Sequence, residues 1–280
     1  RLNQVCDADI DNLCADACSP FMGQACGGTV LRCLQVKQSN VTSEECRNEV
    51  FQIEKGEADD YRRDAILAST CKADVEKYCS NVKPGLGRVH RCLRDHSTEI
   101  SEECKKEELS LNIIQSSDVR LNPMLSRACQ DEMKAYCKDI SPGAQRAFKC
   151  LQENAKQVGF GADCLKEIDR KEKRQARNYK LDFGVAKSCA SDIDDHCKAV
   201  NSEGRAKVLK CLSKVYNQTS DGCQHELSRA VRMAIWQYHK GAPLTMDCDG
   251  DIVKYCLTQS QARRPGLMVA ALGQNMRCLS

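Results

Sequence analysis

Five pairs of cysteines stand eight positions apart in this chain: Cys6 with Cys14, Cys71 with Cys79, Cys129 with Cys137, Cys189 with Cys197, and Cys248 with Cys256. Each pair is followed by a basic residue, a cysteine and a leucine, the cysteines being Cys33, Cys92, Cys150, Cys211 and Cys278. A lone fourth cysteine closes four of the copies, at Cys46, Cys104, Cys164 and Cys223. After a longer first copy the pattern recurs every 58 to 60 residues, a period in the range of stacked helical repeats. The repeats read 1–59, 60–117, 118–177, 178–236 and 237–280, and a fourth cysteine for the fifth would lie beyond Ser280.

A module of about 60 residues buries too little apolar surface to be secure without covalent staples. This chain, with 5% aromatic residues, has little bulky material for one large core. Its 21 cysteines in 280 residues supply the staples instead. Zinc would need closely spaced ligand pairs such as C-x2-C, and the sequence has none. Disulfides in an oxidising compartment follow.

The first segment of each copy reads as helix, with apolar residues along one face: Leu67, Cys71, Val75, Tyr78 and Cys79, then Leu125, Cys129, Met133, Tyr136 and Cys137. Seven positions before the first cysteine stand Asp64, Asn122, Asp182 and Gly241, all favoured N-caps. Ser43-Glu44-Glu45 and Ser101-Glu102-Glu103 open the third segments in the same manner. No stretch reads as a strand. From each fourth cysteine to the next first cysteine is 25 positions at all four junctions. So constant a length predicts a packed, largely helical junction and a stack of repeats forming an elongated rod or superhelix. Length varies instead between the second and third cysteines, which places variable loops on one face.

An up-down-up trio of helices brings the end of the first near the early second, and its start near the beginning of the third. The expected bridges are therefore nested: Cys14–Cys33 within Cys6–Cys46, Cys79–Cys92 within Cys71–Cys104, Cys137–Cys150 within Cys129–Cys164, and Cys197–Cys211 within Cys189–Cys223. Cys18–Cys26 completes the first copy. Cys256–Cys278 leaves Cys248 unpaired in this chain.

Two charged positions recur in all five copies. An acid lies three after each first cysteine (Asp9, Asp74, Glu132, Asp192, Asp251), and a base precedes each third cysteine (Arg32, Arg91, Lys149, Lys210, Arg277). One ion pair per module, between its first two helices, is the expectation, since catalysis would not need five equivalent copies. Asn40-Val41-Thr42 and Asn217-Gln218-Thr219 are N-glycosylation acceptor patterns in the same inter-helix loop of two copies. Lys166, Arg170, Lys173, Arg174 and Arg177 share one helical face in a segment polar all round, either a solvated helix or a docking strip for sulfated glycan or an acidic protein. None of the five histidines has ligand spacing, and His196, at the position of Tyr78 and Tyr136, reads as a helix-packing residue. The longest loops run from Ala15 to Thr29 and from Leu257 to Gln274. In the second, Arg263 and Arg264 beside Leu267, Met268 and Val269 form a candidate partner surface.

With 42 basic and 39 acidic side chains the net charge is +3, which gives no overall field for nucleic acid. The longest apolar run, Leu267 to Leu272, is far short of the roughly 20 residues that span a bilayer. Disulfides require secretory entry, so the expectation is a piece of a longer precursor, with any membrane anchor outside this chain. No metal, cofactor or catalytic motif is read from the sequence.

The repeated C-x7-C, basic-Cys-Leu and later lone cysteine resemble the cysteine-rich repeats of the Golgi glycoprotein family, also called the cysteine-rich fibroblast growth factor receptor or E-selectin ligand family. Cys71-Lys72-Ala73-Asp74-Val75-Glu76-Lys77-Tyr78-Cys79 and Arg120-Leu121-Asn122-Pro123-Met124-Leu125 are especially similar. The resemblance implies a glycoprotein of the Golgi lumen or cell surface whose repeats bind growth factors or other secreted proteins. The reading is thus an all-α array of disulfide-stapled three-helix repeats, serving as a non-enzymatic binding or scaffolding ectodomain. A structural component of a surface assembly and saposin-like lipid-binding modules are the alternatives.

Overall fold

The structure is a computed structural model that describes residues 1–18, 26, 28–200, 206–236, 242–251 and 254. It forms two compact units, Arg1–Arg127 and Ala128–Ser280. The described residues contain helices and no strand.

The second repeat shows the plan. Asp60 accepts from the Arg62 N–H to start a 3-10 turn, Tyr61–Arg63, and Asp64 then accepts from the Leu67 N–H. The first helix follows in two pieces, Ala65–Thr70 and Lys72–Tyr78, with Cys71 at φ −93° and ψ 5° between them. The apolar spacing of the segment reads as helix without marking this break. The same interruption falls at Cys6, Cys129 and Cys189, each with ψ between 4° and 19°. Hydrogen bonding continues across it, from Cys71 N–H to Leu67 O and from Val75 N–H to Cys71 O, so the break is a kink at the residue tied to the third helix.

The loop to the second helix, Arg88–Asp95, turns through left-handed backbone at Gly85, Leu86 and Gly87. Glycine relieves two strains at position 87: its φ is 67°, and a Cβ there would crowd the Ala58 carbonyl oxygen at 3.2 Å. Its N–H donates to Asp59 O at the end of the preceding repeat. In the fourth repeat Ala206 takes that place and donates to Arg177 O. The third helix, Glu102–Ser116, is capped by Ser101, whose Oγ accepts from the Cys104 N–H. Ser43 and Ser220 do the same for the helices Glu44–Asp59 and Asp221–Trp236.

Nine disulfides lie among the described residues. In each of the first four repeats the first cysteine is bonded to the fourth, with Cα atoms 4.6 to 4.8 Å apart, and the second to the third, at 5.9 to 6.0 Å. Closing the loops from Cys79 to Cys92 and from Cys71 to Cys104, with sequence separations of 13 and 33, contributes about 3 and about 4 kcal/mol by loop entropy. Cys18 is bonded to Cys26, and among the described residues Cys248 has no disulfide partner. Cys256 and Cys278 lie outside the described residues, as does the cap position Gly241.

Each core is small and built on its own bridges. Leu67, Val75, Val89, Leu93, Ile100 and Leu111 pack with Cys71, Cys79 and Cys104 in the second repeat. Val185, Ile193, Leu209, Leu212 and Leu227 do so with Cys189, Cys197 and Cys223 in the fourth. The first three 25-residue junctions are occupied by the remainder of the third helix, a 3-10 turn and the next cap, which accounts for their constant length.

Candidate functional site

In the first, third and fourth repeats the recurrent acid and base have separate partners. Four of the acids cap the third helix. Asp9 accepts from the N–H groups of Thr42 and Ser43 and from Thr42 Oγ1, Asp74 from N and Oγ of Ser101, and Asp192 from N and Oγ of Ser220. Glu132, the one Glu among these four, accepts from the N–H of Gly161, the one cap without a side chain. The extra methylene of Glu132 fills the space that Ser or Thr fills elsewhere: a Cβ on Gly161 would run into its Oε1. Donation from the Thr42 N–H holds the Asp9 carboxyl below its usual range. Asp251 is exposed, and Arg277 lies outside the described residues.

Three of the bases, Arg32, Lys149 and Lys210, reach forward into the following repeat. Arg32 Nη2 lies 2.7 Å from Asp64 Oδ2, the cap of the second repeat's first helix, and 2.5 Å from Glu107 Oε1 on its third. Lys149 Nζ lies 2.5 Å from Glu226 Oε1 on the third helix of the fourth repeat, and Lys210 Nζ 2.7 Å from Asp247 in the fifth. Arg229 completes the cluster between the third and fourth repeats, holding both oxygens of Asp182 and Oε2 of Glu226. Burial alone would raise the Glu226 carboxyl, but Lys149 and Arg229 outweigh it and hold it low.

In these three repeats the intra-repeat pairing expected from sequence fails because the acid's oxygens are taken by the free N–H groups of a helix start. The partners of the bases did leave a sequence signal. Glu stands three after every fourth cysteine, at Glu49, Glu107, Glu167 and Glu226.

A second set of polar groups is buried between the first two repeats. His90 sets Nε2 against Glu57 O at 2.9 Å and Nδ1 against Glu108 Oε2 at 3.0 Å, while Arg94 donates to Glu108 Oε1 and Gln115. Burial would raise the Glu108 carboxyl, but Arg94 and His90 hold it below its usual range. Glu54 and Glu57 lie in the same layer, and burial lifts them to about 8 and about 7. His90 thus packs at a repeat junction. His196, expected to pack, is exposed, whereas Tyr78 stacks on His96 and Tyr136 on Phe160.

The basic strip lies on the helix Ala162–Arg177. Lys166, Lys173 and Arg177 are exposed, and Arg170 and Arg174 half-buried. The helix is not solvated all round, because Lys171, Glu172 and Gln175 are buried, Lys171 over the ring of Phe148. Asn40 and Asn217 are exposed on equivalent 3-10 turns, Gln38–Asn40 and Tyr216–Gln218. Arg263, Arg264, Leu267, Met268 and Val269 lie outside the described residues. Among the described residues no cluster of His, Cys, Asp and Glu could hold a metal ion, and no helix is long and apolar enough to cross a membrane.

The profile of a family described as a cysteine-rich repeat matches residues 44–101, 102–159 and 162–220. The chain belongs to the cysteine-rich repeat family. Family units in this frame begin at the third helix, so that each contains a whole junction and the Cys71–Cys104 bridge ties one unit to the next. The chain is similar to Golgi apparatus protein 1 of Mus musculus, 23% identical over 94% of this chain, and of Gallus gallus, 24% identical over 91%. Golgi apparatus protein 1 homolog of Caenorhabditis elegans is 25% identical over 91%. The chain spans 23% to 25% of the length of these relatives. No solved structure matches it. A Golgi-lumen or cell-surface location accords with relatives named for the Golgi and with the disulfides of every complete repeat.

Proposed function

We propose that this chain is a non-enzymatic binding ectodomain of a Golgi or cell-surface glycoprotein, which holds secreted proteins, growth factors among them, on surfaces that differ from repeat to repeat. The observation that carries this reading is the use made of the shared residues. Asp9, Asp74, Glu132 and Asp192 are committed to helix starts, and Arg32, Lys149 and Lys210 to the next repeat. Contacts to a partner then fall to the variable loops and helix faces, as in other repeat proteins. The exposed Asn40 and Asn217 are its glycan sites.

The test is a binding titration of the intact secreted chain against a panel of secreted growth factors at physiological salt. Saturable binding of at least one, retained after enzymatic removal of glycans, supports the reading. A chain that is folded, by its circular dichroism, and binds none of them removes it.

A further inference from the structure

A cavity of about 330 Å³ lies between the third and fourth repeats, inside the second unit. Its volume is within the range of small-molecule sites. Apolar wall comes from Val185, Leu209, Ala230, Met233, Ala234 and Leu244, on three helices and the segment that follows the last of them. Of the cations that border it, Arg229 is paired with Asp182 and Glu226 and Lys173 with Asp169, while Arg177 is exposed. Arg229 faces both oxygens of Asp182 and one of Glu226, which leaves little attraction for an anion.

Glu172 is the exception. It lines the cavity and is buried, at 8% exposure. Its Oε1 accepts from Gln152 Nε2, also in the wall, while Oε2 is buried without a hydrogen-bond partner. A buried polar atom left unpaired costs stability and calls for a partner. Burial raises this carboxyl to about 8, so at neutral pH it is uncharged and carries a proton to donate.

We propose that this cavity binds one small, uncharged, mostly apolar molecule bearing a hydroxyl or carbonyl group, with that group on Glu172 and the apolar body against Val185, Leu209 and Met233. A permanent anion fits poorly beside Glu172, because it would be buried against apolar wall where the most shielded guanidinium, Arg229, is already paired, while Lys173 and Arg177, also in the wall, are exposed to solvent. The inference stands apart from protein binding by the variable surfaces, and loss of either leaves the other intact.

The probe is prodan, an uncharged naphthyl ketone whose emission shifts to the blue in an apolar site. The intact chain is expected to bind it saturably at one site, with decanol displacing it and decanoate doing so about tenfold less well, a difference of one decade in affinity. Ala234→Phe, which fills the cavity, should lose the site. Glu172→Leu should weaken it about fivefold, the effect of one hydrogen bond. Absence of a saturable shift, an unchanged shift in Ala234→Phe with native circular dichroism, or equal displacement by decanoate would each overturn the proposal. If Ala234→Phe does not fold, Ala230→Leu takes its place with the same two outcomes.

Discussion

Arg32 of the first repeat meets Glu107 of the second at 2.5 Å, and Lys149 of the third meets Glu226 of the fourth at the same distance. Both pairs join the residue before a third cysteine to the residue three after the next repeat's fourth. The bridge is therefore a property of the junction and not of the module. Both side chains of the second pair are mostly shielded, Lys149 at 26% and Glu226 at 11% exposure. Removing one partner would leave the other unpaired in a half-dry site.

A double-mutant cycle of Lys149→Met with Glu226→Gln should give a coupling energy of roughly 1–2 kcal/mol in urea unfolding, as for residues within one ion-pair network. The cycle of Lys149→Met with Glu132→Gln should give none, because Glu132 caps Gly161. Coupling in the second cycle and not the first would restore the pairing inside the repeat.

The third repeat departs from the others by a matched exchange, Glu132 with Gly161 where the second has Asp74 with Ser101 and the fourth Asp192 with Ser220. Gly161→Ser alone should destabilise by roughly 1 kcal/mol, a modest overpacking cost, because its Cβ meets the Glu132 carboxylate. Glu132→Asp alone should lose the Gly161 hydrogen bond, at a cost of about 1 kcal/mol or more. Together they recreate the pair of the second and fourth repeats and should recover most of both losses. Additive losses in the melting temperature would show that the two positions are independent.

Spacing made the framework legible. Cysteines at a fixed offset on a helix face can meet only certain neighbours, so the nesting of Cys71–Cys104 around Cys79–Cys92 followed from helix order. The caps at Asp64, Asn122 and Asp182 followed from residue type. The partners of the bases did not, because Glu107 and Glu226 lie 75 and 77 residues from Arg32 and Lys149, and a reading confined to one repeat sets the nearer acid against the base. The kink at each first cysteine left no cue either, since an apolar stripe looks alike whether the helix runs on or is interrupted at one residue. The cavity beside Glu172 depends on the small side chains Ala230 and Ala234 standing where two repeats meet, and no periodicity within a single helix reports that.

Stability should fall as pH rises through neutrality. Burial raises Glu54, Glu57 and Glu172 from 4.5 to about 8, about 7 and about 8. Between 4.5 and those values the folded chain holds protons that the unfolded chain has released, so their stabilisation is complete below 4.5 and is lost as pH rises through the folded values. Glu108 and Glu226 act in the opposite sense. Held below the usual range, they contribute above it and lose that contribution as pH falls through their lowered values. The maximum therefore falls on the acidic side of neutral. Urea midpoints of the intact chain should decline from about pH 5 to about pH 8, and Glu54→Gln with Glu172→Gln should flatten the decline. Midpoints that rise over that interval in the unmutated chain would contradict the buried, protonated state of these groups.

The basic helix offers a division of labour that mutation separates. Lys166, Lys173 and Arg177 are exposed, and Lys173 shares its charge with Asp169 at 2.7 Å. Arg170 and Arg174 are half-buried on a helix whose Lys171, Glu172 and Gln175 face inward. A sulfated polysaccharide should therefore be held by the outer three, weakly, since exposed charges are screened over about 8 Å at physiological ionic strength. Lys166→Ser with Arg177→Ser should lower the salt at which the chain leaves a heparin column and leave its melting temperature unchanged. Arg170→Ser with Arg174→Ser should instead lower the melting temperature, because their stems cover the helix flank as well as carrying charge. Unchanged heparin elution in the first variant would leave the strip as a solvated helix face whose charges serve solubility and the helix C-terminus.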